Sequence, residues 1–174
     1  MQCDQRPWFR LAQEADADLI LEFMREYYAF DLHHPDEENS PAALAGLLRD
    51  DSLGCIWLIQ DGDAAVGYVV VTLGYSLELF GRDACIDEFY LRETYRGRGW
   101  GRQAMAFVED AARSLGVNSI HLEVTRPNTT AHRIYRKLGF EDRQHHLMTN
   151  WIARPSGTGP PRIDRVPELG FGTE

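Results

Sequence analysis

Cysteine is scarce in this sequence: Cys3, Cys55 and Cys85 are all there is, and their spacing shows no pairing. That excludes a disulfide-stapled fold and points to a reducing compartment. Cys55 and Cys85 sit in apolar, strand-like runs, where a thiol behaves as a small hydrophobe rather than as a reactive group. Long apolar runs are also missing. The richest, AAVGYVVVTLGY, falls well short of the ~20 residues that span a bilayer. The opening MQCDQRPWFR lacks the apolar stretch of a signal peptide, so a cytoplasmic protein with no membrane partner is expected. Basic residues are outnumbered, 18 Lys and Arg against 27 Asp and Glu, for a net charge of −9. A surface of that sign repels phosphate backbones, so nucleic acid is not an expected partner, and cationic small molecules or protein lysines are mildly favoured.

What is present is the composition of an ordinary globular chain, 44% apolar and 26% charged over 174 residues. One domain is expected over residues 8–152, long enough to bury a proper core. Period-2 and period-3.6 patterns change places along it. PWFRLAQ reads as a first strand. A helix follows from a cap at Asp16 or Asp18 to about Asp31, with Leu19, Ile20, Phe23 and Tyr27 on one face. DLHHPDEENS is a polar loop, and PAALAGLLRD is a short helix that can begin on Pro41 with Ser40 as its cap. CIWLIQ and AVGYVVVTLGY form a hairpin through Asp-Gly. ACIDEFYL (84–91) is a further strand. A helix over roughly 100–115 carries Ala104, Met105, Val108, Ala111, Ala112 and Leu115 on one stripe and stops at Gly116. SIHLEV (119–124) alternates. NTTAHRIYRKLG is a helix capped at Asn128 or Thr129 and closed by Gly139. FEDRQHHLMTNWI supplies one or two final strands. Residues 153–174, rich in proline and glycine, read as a flexible tail.

Between the strand at 84–91 and the next helix stands YRGRGWGRQAM, with glycine at 97, 99 and 101. A strand running through glycines into a helix start is a phosphate cradle, because first-turn N–H groups are unpaired, the helix dipole is positive there, and glycine admits close approach. No Gly-Lys-Ser/Thr occurs, so a P-loop is excluded. The dinucleotide pattern G-x-G-x-x-G fails at Arg102 and Ala104. A tight turn without a ligand remains open on spacing alone.

Arg96-Gly97-Arg98-Gly99-Trp100-Gly101 resembles the pyrophosphate motif Q/R-x-x-G-x-G/A of the GNAT superfamily of acyl-CoA-dependent N-acetyltransferases. The preceding IDEFYL, the following LEV, Asn128 at the next helix start and IYRKLGF (134–140) occur in that family's order. The segment IDEFYLRETYRGRGWG is also similar to diamine (spermidine/spermine) acetyltransferases, in which the acidic pair runs Glu-Asp instead. The resemblance implies a single-domain α/β fold of the α+β type. Its mixed, mostly antiparallel sheet would have about six or seven strands, splayed between the fourth and fifth, with about four flanking helices. Acetyl-CoA is the implied co-substrate, its pantetheine pairing with backbone near Tyr90 and Leu91 and contacted at Asn128. Its pyrophosphate would rest at Arg96, Gly97, Arg98, Gly99, Trp100, Gly101 and Arg102, with the Trp100 side chain packed under the turn. By analogy, homodimers belong to the same picture.

Acetyl transfer to an amine needs a base, because a lysine-like amine of pKa ~10.4 lies about 3.4 units from neutrality at pH 7, or roughly 4.6 kcal/mol. Asp87 and Glu88 are the candidates. Strand alternation lets at most one of them face the cleft unless a bulge intervenes, and the sequence does not choose between them. Glu123 is a third. The thioester oxygen needs a backbone N–H, which the resemblance puts near Tyr90 or Leu91. Tyr135 is implied as the acid for the leaving thiolate, although Ala131, Ile134, Tyr135 and Leu138 also form a core stripe. The implied acceptor lining includes Tyr27, Tyr28, Asp31, His33, His34, Asp36, Glu37, Glu38, Tyr75 and Glu78, an acidic and aromatic set that suits a cationic amine or is simply solvated. No metal is expected, since His33-His34 and His145-His146 lack the i, i+4 spacing of a helical ligand pair. A non-catalytic acyl-CoA sensor is the alternative reading.

Overall fold

The computed structural model describes residues 6–30, 38–126, 128–145, 147–150 and 152. After β1 (Trp8–Leu11), the Asp16 carboxylate closes a single 3-10 turn by accepting the Gln13 N–H at 2.8 Å. It also takes both arms of Arg10, at 2.9 and 2.8 Å. That turn runs straight into α1 (Ala17–Phe30). The second helix, α2 (Ser40–Arg49), starts one residue earlier than its proline suggests, with Asn39 at the cap and Pro41 in the first turn.

β2 (Gly54–Asp61), β3 (Ala64–Ser76) and β4 (Gly81–Leu91) make an antiparallel meander, and β1 adds to β2. The Asp-Gly turn expected between β2 and β3 is there, with Gly62 at φ 59. From β4 the chain crosses over through α3 (Trp100–Ser114) and returns as β5 (Ser119–Leu122), parallel to β4. α4 (Thr129–Lys137) follows. Its cap is Asn128, whose Oδ1 accepts the Ala131 N–H at 3.0 Å. Gly139 at φ 92 lets the Phe140 N–H fold back onto the Tyr135 carbonyl at 3.0 Å.

Both faces of the sheet are covered, which explains why β2 and β3 read as near-continuous apolar runs. α1 and α2 bury Ile20, Phe23 and Leu44 against Ile56, Leu58, Tyr68, Val70 and Tyr90. On the other face α3 packs Met105 and Val108 against Trp57, Val69, Val71, Ala84 and Ile86. The periodicity of α3 is borne out by buried Ala104, Met105, Val108 and Ala112. Truncating a fully buried ring such as Phe23 to alanine would destabilise by about 3–5 kcal/mol.

The sheet has five strands among the described residues, fewer than expected. None of the described residues after Phe140 is a strand. The cause is local. The Asp142 side chain accepts the Gln144 N–H at 2.9 Å, and Gln144 turns into the left-handed region at φ 55, so the extended run stops where it was to begin. The end of 119–124 also departs from the strand reading, since β5 closes at Leu122. Ile134 is 52% exposed and does not join the core stripe of α4. The tail at 153–174 and the polar loop at 31–37 lie outside the described residues.

Candidate active site

The site is organised by an irregularity in β4. Val70 of β3 pairs with Glu88, but the next residue, Val71, pairs with Ile86, so Asp87 is the extra residue of a bulge. Without it Asp87 and Glu88 would face opposite sides of the sheet. With it, Ile86 and Phe89 both pack toward α3, while Glu88 lies on the α1 side with Tyr68 and Tyr90. Asp87 stays on that side too, near enough for its charge to bear on Tyr28, Cys85 and Glu88. Two acidic groups therefore share one face where plain alternation allows one.

Glu88 is wedged between two phenols. Tyr28 of α1 donates to Oε1, and Tyr68 of β3 donates to Oε2 at 2.7 Å. Burial pushes the Glu88 pKa above the ordinary carboxylate range, the two hydroxyls pull it back, and the Asp87 charge adds to the rise. Asp87, more open to water at its tip, is also raised by partial desolvation. Burial next to Glu88 raises both tyrosines, which are therefore neutral donors at physiological pH. Tyr27 stands beside Tyr28, ring centres 5.5 Å apart. Tyr28 belongs to the acceptor lining expected from the sequence, whereas Tyr68 carries no role there. The usable signal was that a tyrosine buried in a central strand must find a partner for its hydroxyl.

The β4–β5 ladder runs only from Asp83–Ser119 to Ile86–Leu122. Beyond that point β4 continues through Asp87–Leu91 with β5 ended, which is the expected splay between the fourth and fifth strands. Tyr90 and Leu91 bury their side chains in clusters on opposite faces, so what they present toward the gap is backbone. Their inner side is fixed by Gly67 of β3, where a Cβ would collide with the Tyr90 carbonyl.

At the end of β4 the glycine turn leads into α3. Gly97 (φ 73) and Gly99 (φ 81) adopt the left-handed conformation, and a Cβ built on either meets nothing within 4 Å. The turn is thus bare on its outer side, as an anion cradle requires. The first rung of α3 is the Gln103 N–H to the Gly99 carbonyl at 3.2 Å, so the amides of Trp100, Gly101 and Arg102 precede the ladder at the positive end of the helix dipole. Arg98 lies over Tyr95. Trp100, 2% exposed, packs with Ile59, Val66, Leu91 and Ala104 beneath the turn. Arg96 turns back: its Nε donates to the Leu91 carbonyl at 2.7 Å and its guanidinium covers the Tyr90 ring, tying the turn to the strand. Arg92 binds Glu22 and Glu26 and covers Phe23, tying the same strand end to α1.

Tyr135 sits on the opposite face from Glu88, half-buried against Leu138 and Phe140, its pKa raised by desolvation. With Asp83, His121 and Glu123 it lines a groove of about 1110 Å³, whose lining does not include Glu88 or the glycine turn. His121 is exposed, 3.6 Å from Asp83. The thiols behave as expected: Cys55 is raised by burial, and Cys85 is pushed up to about 11 by burial and surrounding carboxylates. Tyr75 and Glu78 lie toward the β3–β4 tip, Glu78 held by Arg143, away from the acidic pair. Asp31, His33, His34, Asp36, Glu37 and His146 lie outside the described residues. Among the described residues no helix is long and apolar enough to cross a membrane, and no group of three acidic, His or Cys side chains could hold a metal.

Residues 17–140 match the family model "Acetyltransferase (GNAT) family". Among individual proteins the chain is 41% identical over 61 residues to the uncharacterized N-acetyltransferase YycN of Bacillus subtilis (35% of this chain, 39% of that one). It is 35% identical over 90 residues to streptothricin acetyltransferase of Streptomyces lavendulae (52% and 45%). It thus spans less than half the length of these two bacterial relatives. Over 143 residues it is 29% identical to thialysine N-epsilon-acetyltransferase of Mus musculus, covering 76% of this chain and 83% of that one. A solved aminoglycoside N-acetyltransferase, AAC(6')-Iy in complex with CoA, shares the fold at TM-score 0.71 and 15% identity, over 86% of this chain and 97% of that one.

Proposed function

The chain belongs to the acetyltransferase (GNAT) family, and from that premise we propose that it moves the acetyl group of acetyl-CoA onto a primary amine by direct attack within a ternary complex. The observation that carries this reading is Glu88, a half-buried carboxylate held by Tyr28 and Tyr68 beside the open length of β4. Acetyl-CoA fits the residues present. The bare outer side of Gly97 and Gly99, with the α3 amides behind it, suits its diphosphate, and the edge of β4 at Tyr90 and Leu91 suits an extended amide-bearing arm.

Three tasks then fall to this chain. Glu88 takes the ammonium proton, directly or through a water, and its raised pKa brings it toward the range where a base works at neutral pH. A backbone N–H of β4 near Tyr90 or Leu91 steadies the oxygen as the nitrogen adds to the thioester carbon. The C–S bond then breaks as the added nitrogen sheds its second proton to water, and the departing sulfur, a thiol of pKa ~8.5 that needs little help, takes a proton from Tyr135, which regains one from solvent.

For the acceptor we propose a small, lysine-like amine. Thialysine N-epsilon-acetyltransferase is a relative whose name puts the acetyl group on a side-chain nitrogen. The neutral tyrosines and two acidic groups on the α1 face suit an alkylammonium through charge and cation–π contact. Thiol release from acetyl-CoA, measured over lysine analogues, diamines, aminoglycosides and lysine peptides, tests the reading. Turnover with compact alkylamines is expected. Tight CoA binding with no turnover for any amine would instead favour a coenzyme sensor.

A further inference from the structure

We infer that Tyr68 and Tyr28 act together as a two-sided clamp that fixes the Glu88 carboxylate in place and steadies its negative charge, which makes them positioning residues of the acetyl-transfer site. The inference rests on the reading of Glu88 as the base. Its geometry is specific. The two donors come from different elements, Tyr68 from the centre of β3 and Tyr28 from the last turns of α1, and each takes a different oxygen of one carboxylate. Tyr68 is fully buried, its ring stacked with Phe23 and packed near Tyr90, so its hydroxyl has one fixed direction. A carboxylate oxygen offers two lone pairs. One on each is occupied, and one on each remains to accept a proton.

The chemical nature of the donors matters. A buried carboxylate must be hydrogen-bonded. An arginine could satisfy Glu88, but it would lower basicity steeply and repel an incoming ammonium. Neutral phenols steady the anion without presenting positive charge. The two arginines at this strand end are engaged elsewhere: Arg92 pairs with Glu22 and Glu26, and Arg96 donates to the Leu91 carbonyl and covers the Tyr90 ring. Asp87 on β4 bears directly on Glu88, Tyr27 on α1 bears on both clamping tyrosines, and Tyr90 on β4, packed near Tyr68, is hydrogen-bonded to Glu26 of α1. Asp87 pushes the Glu88 proton affinity up, against the clamp. Two donors oppose burial and one like charge, and the balance leaves Glu88 a stronger proton acceptor than an ordinary carboxylate.

The test titrates Glu88 itself. In protein carrying 13C at the glutamate side-chain carboxyls, the Glu88 resonance is identified by its loss in Glu88→Gln and followed against pH in wild type, Tyr68→Phe and Tyr28→Phe. Each removal should raise the Glu88 midpoint by about one pH unit or more, because the ionised form alone loses a charge-assisted hydrogen bond. The acid limb of kcat/KM should rise by the same amount. Activity then falls about tenfold per unit below the limb and recovers above it, with acetyl-CoA affinity unchanged. Phenylalanine is close to isosteric at buried Tyr68. Half-exposed Tyr28 offers an independent route should Tyr68→Phe fold poorly.

An unmoved midpoint in Tyr28→Phe overturns the clamp. A moved midpoint with an unmoved rate profile overturns its part in catalysis, as does a loss of activity equal at all pH values. Absence of acetyl transfer by the wild type would sink the reading beneath the inference, and the titration would still decide whether the clamp exists.

Discussion

Replacing Glu88 with glutamine separates chemistry from binding. The side chain keeps its length, so the pocket between Tyr28 and Tyr68 is not emptied. What is lost is the ability to take a proton. An ammonium of pKa ~10.4 is neutral in about one molecule in 2500 at pH 7, and a positioned base typically contributes 10²–10⁴ in rate. A fall in kcat/KM of about 10³ at pH 7 is therefore expected. The variant rate should climb about tenfold per pH unit as free amine accumulates, narrowing the gap to wild type toward pH 10. Folding should survive. One tyrosine hydroxyl loses its acceptor, which costs about 1–3 kcal/mol when the group is buried. Against this, a carboxylate whose folded pKa is raised destabilises the native state above that pKa, and glutamine removes this penalty. The balance should move Tm by only a few degrees in a domain of this size. Thiol release from pH 6 to 10 and calorimetric acetyl-CoA affinity give the answer. A loss below tenfold at pH 7, or one that does not shrink with pH, would show that Glu88 is not the base.

Gly99→Glu puts a negative side chain on a left-handed residue at the open face of the turn. Acetyl-CoA affinity should fall at least a hundredfold with the far-UV spectrum kept, and unchanged affinity would remove the anion cradle. Tyr135→Phe should lower kcat several-fold with little change in coenzyme affinity; equal loss of both would mark the ring as packing against Phe140 and Leu138. Arg10 holds the Asp16 carboxylate below its usual range. Its contribution is fully present above the unfolded aspartate value of ~3.9 and is lost as pH falls through the lower folded value. Chemical denaturation across pH 2–6 should show this acid loss in wild type and a weaker one in Asp16→Asn.

The helices and the meander were legible because their signals are local. The stripe of α3, the Asn128 cap, the Gly116 and Gly139 stops and the Asp-Gly turn each act within a few residues. The glycine turn was equally readable, since bare backbone before a helix start is written in consecutive positions. The pairing of Tyr68 with Glu88 was not. It depends on the register between β3 and β4 and on one extra residue at Asp87, and in AAVGYVVV the tyrosine reads as one more apolar position. The final strands failed for a different reason. FEDRQHHLMTNWI carries strand-like residues, but a side-chain turn at Asp142 and a left-handed Gln144 end the extension before it starts. Ile134 shows the limit of periodicity. The stripe marks a face, and only a partner layer can bury it.

Asp87 supplies a contrast of opposite sign, and with it the sharpest check on how the two carboxylates divide the work. The bulge sets both on the α1 face, and the Asp87 charge raises the proton affinity of Glu88, whereas the tyrosine hydroxyls lower it. Asp87→Asn keeps the size of the bulge residue and removes the charge. Glu88 should then ionise at lower pH, and the acid limb of kcat/KM should move down rather than up. Turnover at pH 7 should stay within about tenfold of wild type, reduced because a weaker base takes the amine proton less readily. The KM for a dicationic amine should rise more than that for a monocation, since one of two attracting charges has gone. If Asp87→Asn instead lost activity on the scale foreseen for Glu88→Gln, with no shift of the limb, the roles would be exchanged. Asp87 would be the base, and the clamped Glu88 would be the fixed charge that orients the acceptor.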